Sequence, residues 1–196
     1  MSKVKKQSDK NASKGHIRII AGQHRGRKLP VLMADGLRPT TDRVKETVFN
    51  WLMPYIQESI CLDCFAGSGG LGFEAMSRGA SSVTLVELNK SAAQQLTANK
   101  ALLKVTNIDV VQQNALDFLQ SNQQSFSLVF IDPPFRKGLA EKTAALLAEK
   151  GLTDNALIYV EMEADSNQQL MPSHWQLLKE KVAGQVVYRL YQNSAN

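Results

Sequence analysis

The sequence predicts an α/β fold in which a mostly parallel sheet of seven strands carries helices on both faces and ends in an antiparallel hairpin. Three observations predict it. From Ser59 onward, runs that are apolar on both faces alternate with helical stretches, the pattern of βαβ units on a parallel sheet. The final stretch, WQLLKEKVAGQVVYRLYQN, breaks that alternation and reads as two strands around Ala183 and Gly184. Near the start, HIRIIAGQHRGRKLPVL offers two short strand-like pieces around a Gly/Gln/His/Arg turn, a small basic β-hairpin ahead of the sheet.

Taken in order, residues 1–14 are polar, lysine-rich and without periodicity, which predicts a disordered basic tail. Residues 15–55 form an N-terminal extension of hairpin and helix. In RPTTDRVKETVFNWL, Thr40, Thr41 and Asp42 are candidate N-caps, and Val44, Val48, Trp51 and Leu52 recur at helical spacing. A helix from about Asp42 to Met53 follows, since Pro54 disfavours continuation, with Trp51 on its apolar face. Residues 56–196 make the main domain. Its strands are expected at SICLDC, SVTLVEL, NIDVVQQ, FSLVFID and ALIYVEM, and its helices at FEAMSRG, SAAQQLTANKALLKV, ALDFLQS and LAEKTAALLAEKG.

A chain of 196 residues that is 43% hydrophobic can bury one sizeable core. No run approaches the roughly 18 apolar residues that span a bilayer, and the lysine-rich start is not followed by an apolar signal core, so a soluble cytoplasmic protein with no membrane partner is expected. Monomer is the default for one compact domain. Cys61 and Cys64 spell C-x-x-C, but zinc wants further ligands and no second Cys/His cluster lies in sequence; two small core residues at a strand end are expected, and no metal. His16 and His174 are expected to be structural or solvent-facing.

The net charge is +5, unevenly spread. Residues 1–30 hold nine Lys/Arg against one Asp, a net of +8 that leaves −3 on the other 166 residues. A basic arm on a slightly acidic body is the footprint of a polyanion partner, most simply nucleic acid. Arg18, His24, Arg25, Arg27, Lys28, Arg38 and Arg136 are the candidate RNA-binding residues.

Ligands of open α/β sheets bind outside the carboxyl ends of the strands. After the first strand comes DCFAGSGGLGFEA, whose glycines permit a tight turn and a close approach to a helix N-terminus. It contains G-x-G-x-x-G from Gly67 to Gly72, and Glu87 at the end of the second strand is placed to accept from both ribose hydroxyls of an adenosine. The glycines alone do not separate NAD from S-adenosylmethionine. Asp63, four residues ahead of Gly67, is placed to meet the ammonium of a methionine moiety, which favours the latter. After the third strand, Asn114 is a candidate acceptor for an adenine amino group and the Ala115 N–H a donor to the ring; a helix cap is the plain alternative for Asn114.

The fourth strand ends in DPPF, Asp132 to Phe135. Both residues that precede a proline are held extended, so the turn is stiff. An exocyclic amine on a nucleobase is a poor nucleophile because its lone pair is conjugated with the ring. The Asp132 carboxylate and the Pro133 carbonyl, fixed by Pro133 and Pro134, can take its two N–H bonds and aim the nitrogen, while Phe135 stacks on the base. Asp132 can then receive the proton, and a target inside folded nucleic acid must be flipped out or already unstacked.

DCFAGSGGLGFEA, VELN, NAL and DPPF in this order resemble the class I, Rossmann-like S-adenosylmethionine-dependent methyltransferases acting on exocyclic amines. With HIRIIAGQHRGRKL, RPTTDRVKETVFNWL, FIDPPFRKGL and ALIYVEME added, the chain from about His16 to Tyr191 looks like the RsmD family. The resemblance implies transfer of a methyl group to the 2-amino group of a guanine, position 966 of 16S rRNA, within the small ribosomal subunit or its assembly intermediate. It implies S-adenosyl-L-methionine as cofactor, held by Asp63, Phe65, Ala66, Gly67, Ser68, Gly69, Glu87, Leu88, Asn114, Ala115 and Asp132, and a guanine held by Asp132 to Phe135. Arg38, Thr40, Thr41, Arg43 and Glu46 match the upstream motif that closes over the methionine end and the base, Thr40 and Arg43 toward the cofactor. Many relatives of the broader fold have aspartate where Asn114 sits, which touches only the strength of that one contact.

Three rivals stay open on the residues alone. D-P-P with an aromatic serves equally an adenine or cytosine amine in DNA. An NAD-dependent oxidoreductase would use the glycines and Glu87 but leaves DPPF unexplained. A noncatalytic RNA-binding module would keep the fold without the transfer.

Overall fold

The computed structural model describes residues 15–32, 42–165 and 171–194. Arg38, Thr40 and Thr41 lie outside them. The hairpin strands are β1 (Gly15–Arg18) and β2 (Lys28–Val31), followed by helix α1 (Asp42–Leu52). The sheet alternates with helices as β3 (Ile60–Asp63), α2 (Gly70–Ser77), β4 (Ser82–Glu87), α3 (Lys90–Leu103), β5 (Ile108–Gln112), α4 (Ala115–Ser121), β6 (Phe126–Ile131), α5 (Leu139–Glu149) and β7 (Leu152–Glu163). It closes with β8 (Trp175–Ala183) and β9 (Val186–Asn193).

The seven strands lie in the order β5-β4-β3-β6-β7-β9-β8, with β3 to β7 mutually parallel and β9 antiparallel to both its neighbours. This is the class I methyltransferase architecture expected from the sequence. Because β4 and β5 are laid to one side of β3 and β6 to the other, strand order reverses between β3 and β6. Such a switch point opens a crevice at the carboxyl ends, here between Asp63 and Asp132.

Period-2 side-chain alternation splits the core in two. On one face Cys61, Val83, Leu85, Phe130 and Tyr159 pack with Val48, Phe49 and Leu52 of α1, Phe73 of α2 and Leu96 of α3. On the other, Leu62, Val129, Ile131 and Val160 pack with Leu119 of α4 and Ala144 and Leu147 of α5. Ile17, Ile19, Leu29 and Val31 of the hairpin belong to the first core, so the extension is sealed onto the sheet domain by shared apolar contacts. Trp51 is half-buried against that core.

The hairpin is further latched to the carboxyl end of α2. Glu74 is fully buried, and its carboxylate accepts the N–H groups of Ile20 (2.8 Å) and Ala21 (3.0 Å) and the guanidinium of Arg78 (2.7 Å). Ser77 accepts from His24 N–H at 2.9 Å and donates to the Ala21 carbonyl at 2.6 Å. Gly22, with φ +80°, passes so close that an added Cβ would stand 1.8 Å from the Ser77 carbonyl oxygen. Only glycine fits that position.

β7 starts four residues before the apolar run ALIYVEM suggests. Thr153, Asp154 and Asn155 look like a loop in sequence, but the strand runs through them: Leu152 pairs with Phe126 and Leu157 with Leu128, and the irregularity falls between those pairs, with Asn155 taking a φ of +59°.

Candidate active site

The half of the crevice expected to hold a cofactor is built from β3 and β4. Cys64 N–H continues the pairing to the Phe130 carbonyl at 3.1 Å, and Ala66 N–H reaches the Val86 carbonyl at 2.9 Å, so the loop leaves β3 tied to both neighbouring strands. Gly67 (φ +51°) donates to one Glu87 oxygen at 2.8 Å, and Asn89 N–H donates to the other at 2.7 Å. Glu87 thus staples the glycine loop to the start of α3. Each carboxylate oxygen keeps a second lone pair for a ribose hydroxyl. Leu88, 65% exposed, offers a bare apolar side chain beside it, suited to the face of a purine.

Asp63 is buried at the end of β3, and its Oδ1 has no hydrogen-bond partner. Burial raises its carboxyl to about 7; N–H groups of Phe65 and Gly72 pull the other way, and the charge of Glu87 adds to the rise. A desolvated carboxylate with an orphaned oxygen is an incomplete pair. An ammonium group completes it, so the residues present fit the methionine end of S-adenosylmethionine. Phe65, Ala66, Ser68 and Gly69 line the same loop. Gly69 has φ +80°, and a Cβ there would meet Phe73 at 2.6 Å and Leu96 at 2.7 Å, which fixes the turn into α2.

At the third strand the Asn114 oxygen accepts from Leu116 N–H at 2.8 Å and Asp117 N–H at 3.4 Å, capping α4. That oxygen is committed to the helix start. The cap fixes the position of Ala115, the first residue of α4.

The half expected to hold the base is built from β6 and β7. Asp132 is half-buried, Pro133 buried, and Pro134 and Phe135 exposed. Arg136 turns the chain with φ +61°, and its N–H is clasped by the Glu163 carboxylate on β7. A cavity of about 250 Å³ opens here, lined by Pro133, Phe135, Arg136, Glu161 and Glu163 among others. It is smaller than the roughly 300–1,000 Å³ of pockets for drug-sized ligands, a size suited to one planar base.

Glu161 and Glu163 were missed by sequence reasoning, although the rule that found Asp63, Glu87, Asn114 and Asp132 applies equally to the end of the fifth sheet strand. Lys45 was missed too. It is buried on α1, donates to the Arg18 carbonyl at 2.5 Å and lies 3.5 Å from Asp42, joining helix and hairpin above the glycine loop. Arg43 and Glu46 are exposed on α1, and Arg18 pairs with Asp42 at 3.8 Å.

Arg25, Arg27 and Lys28 are exposed on the hairpin, and His24 is half-buried beside them. Cys61 and Cys64 fall in the two separate cores on opposite faces of the sheet, and burial raises the Cys61 thiol to about 12. They cannot share a ligand. Among the described residues, no group of three or more His, Cys, Asp or Glu is arranged to hold a metal ion, and no helix is long and apolar enough to cross a membrane.

Comparison with known proteins gives the family and the fold. The family model described as conserved hypothetical protein 95 matches residues 17–192. A Haemophilus influenzae protein named ribosomal RNA small subunit methyltransferase D is 57% identical over 195 residues, covering 97% of this chain and all of the relative. The solved structure of Escherichia coli yhhF superposes with a TM-score of 0.87 at 54% identity, covering 93% of this chain and all of the other. A more distant structure, solved in complex with SAH, covers 95% of this chain and 57% of its own at a TM-score of 0.68 and 16% identity, a likeness of fold alone.

Proposed function

The chain belongs to the RsmD family, whose model is described as conserved hypothetical protein 95, and from that membership we propose that it methylates the 2-amino group of a guanine in small-subunit ribosomal RNA, position 966 of the 16S molecule, using S-adenosylmethionine. The fold is that of the S-adenosylmethionine-dependent methyltransferases, and the ribosomal RNA is taken from the Haemophilus influenzae relative, a ribosomal RNA small subunit methyltransferase. The observation that carries the reading is the placement of two half-sites across one switch point: the orphaned Asp63 oxygen and Glu87 on one side, and Asp132 to Phe135 on the other.

Bound S-adenosylmethionine supplies an electrophilic methyl group on a sulfonium. The chain's own residues do the rest. Asp63 holds the ammonium, Glu87 the ribose and Ala115 the adenine edge. The Asp132 carboxylate and the Pro133 carbonyl take the two amine N–H bonds, which draws the nitrogen toward tetrahedral geometry and turns its lone pair outward. Phe135 covers one face of the base. Asp132 accepts the proton that the alkylated nitrogen releases. The exposed Arg25, Arg27 and Lys28 hold the RNA backbone, on a hairpin that Glu74 fixes against the catalytic domain. Arg38, Thr40 and Arg43 are proposed to close over the site from the α1 side.

The test is methyl transfer from labelled S-adenosylmethionine to small subunits and naked rRNA from cells lacking this gene, with nucleoside analysis. Labelled 2-methylguanosine is the expected product. Methyladenosine or methylcytidine would move the target while keeping the chemistry, and cofactor binding without any transfer would favour a noncatalytic module.

A further inference from the structure

Asp132 and its neighbours explain how an amine is held, but not why it should be the amine of guanine. D-P-P with an aromatic grips any exocyclic NH₂ group. Discrimination must come from whatever meets the ring atom next to the amine. In guanine the amine-bearing carbon is flanked by N1, which carries a hydrogen, and by N3, an acceptor; in adenine and cytosine the one flanking ring nitrogen is an acceptor. Guanine is therefore the one standard base that presents three N–H donors from an exocyclic amine and the ring nitrogen beside it.

Glu161 is the carboxylate beside Asp132 on the neighbouring strand. The last paired residues of β6 and β7 are Ile131 and Val160, so Asp132 and Glu161 are one step further along parallel strands spaced about 4.8 Å apart. Side chains alternate along a strand, so Asp132, two residues after Phe130, and Glu161, two after Tyr159, share the face on which Phe130 and Tyr159 pack. Glu161 lines the same cavity as Pro133 and Phe135. Its carboxylate is not loose: the buried Tyr159 donates its hydroxyl to Glu161 Oε2 at 3.1 Å. A half-buried acid beside a second acid, fixed in orientation from below, is an acceptor awaiting a neutral donor.

Resting on the methyl-transfer reading above, we propose that Glu161 reads the target base by accepting the guanine N1–H, so that Asp132, the Pro133 carbonyl and Glu161 form one strip of acceptors for three contiguous donors. Adenine or cytosine turned to present its amine to Asp132 would set a ring-nitrogen lone pair against the Glu161 carboxylate. Glu161 is thus a specificity residue, and Tyr159 is the positioning residue behind it.

The test uses small subunits reconstituted with either guanine or 2-aminopurine at the target position. 2-Aminopurine keeps the 2-amino group but has no hydrogen on N1. Initial rates of labelled methyl transfer are compared for the wild-type enzyme and Glu161→Gln, whose amide can either accept from N1–H or turn and donate to a bare N1. Wild type should prefer guanine by ~100-fold or more, and Glu161→Gln should cut that preference by at least ~10-fold, the scale of one base-edge contact. Because the readout is a ratio within each enzyme, partial loss of folded protein does not mimic it. A ratio unchanged by the substitution, or a wild-type enzyme indifferent to the two bases, overturns the proposal. Absence of label on guanine itself with the wild-type enzyme overturns the parent reading, a result distinct from an unchanged ratio.

Discussion

The two halves of the crevice are built on different principles. On the cofactor side the loop after β3 is tied to β4, β6 and α3 through Ala66, Cys64 and Glu87, and its glycines are pressed against Phe73, Leu96 and Leu85. On the base side the loop after β6 runs exposed from Pro134 to Gly138, stiffened by its prolines and clasped by Glu163. Among the described residues the first half is held in place by the protein's own hydrogen bonds and packing, and Asp63 Oδ1 is left without a partner. The second is an open edge. A small cofactor common to many enzymes rewards a preformed mould, whereas a base delivered from a large folded RNA needs an open approach.

Three measurements would break or sharpen that contrast. The largest effect belongs to Asp132→Ala, which should lower methyl transfer by ~10²–10⁴-fold while leaving cofactor affinity within a few-fold. Calorimetry and initial rates on the same protein separate the two. Equal turnover would remove Asp132 from the chemistry, and a matching loss of cofactor affinity would mean that the halves are not independent.

The next effect is a pH dependence confined to the cofactor half. Asp63 has its carboxyl raised from 3.8 to about 7 by burial, so an ammonium ligand must first draw the proton off below that value. Affinity for S-adenosylmethionine should therefore weaken as pH falls below about 7, approaching tenfold per unit, and Asp63→Asn should flatten the profile. For the free protein the sign is opposite. The unfolded chain loses this proton near 3.8 and the folded chain holds it to about 7, so the contribution to stability is complete at acid pH and is lost as pH rises through about 7. A flat binding profile in the wild type would take the ammonium away from Asp63.

The smallest effect lies outside both halves. Replacing Arg25, Arg27 and Lys28 with glutamine should reduce the salt slope of RNA binding by about 2–3 and leave cofactor affinity unchanged. An unaltered slope would shift the RNA footprint to another face.

Much of this was legible in the sequence because it is local. α4 at residues 115–121, the glycine turn and DPPF each announce themselves through spacing or backbone restriction. Asn114 was ambiguous, since the same oxygen suits a helix cap and a purine, and the structure gives it to the cap. The start of β7 was hidden because Asn155 bends the backbone into a bulge with residues that ordinarily mark loops. Glu161 lay within reach of the strand-end rule and was passed over, whereas Glu74 and Lys45 were hidden for another reason. Each is a charged residue whose meaning lies in partners far along the chain, and a carboxylate 54 residues from the N–H it accepts leaves no periodic trace.

The Glu74 latch also bears on how such enzymes could be recombined. The hairpin brings two backbone N–H groups, at Ile20 and Ala21, that are met by a side chain of the very helix that begins at the glycine loop. Grafting residues 15–32 alone onto another sheet of this architecture would import bare donors and a Gly22 contact with nothing to receive it. The transplantable unit is the hairpin together with α2. A chimera that carries Glu74 and Ser77 along should keep its arm seated, and one that leaves them behind should not.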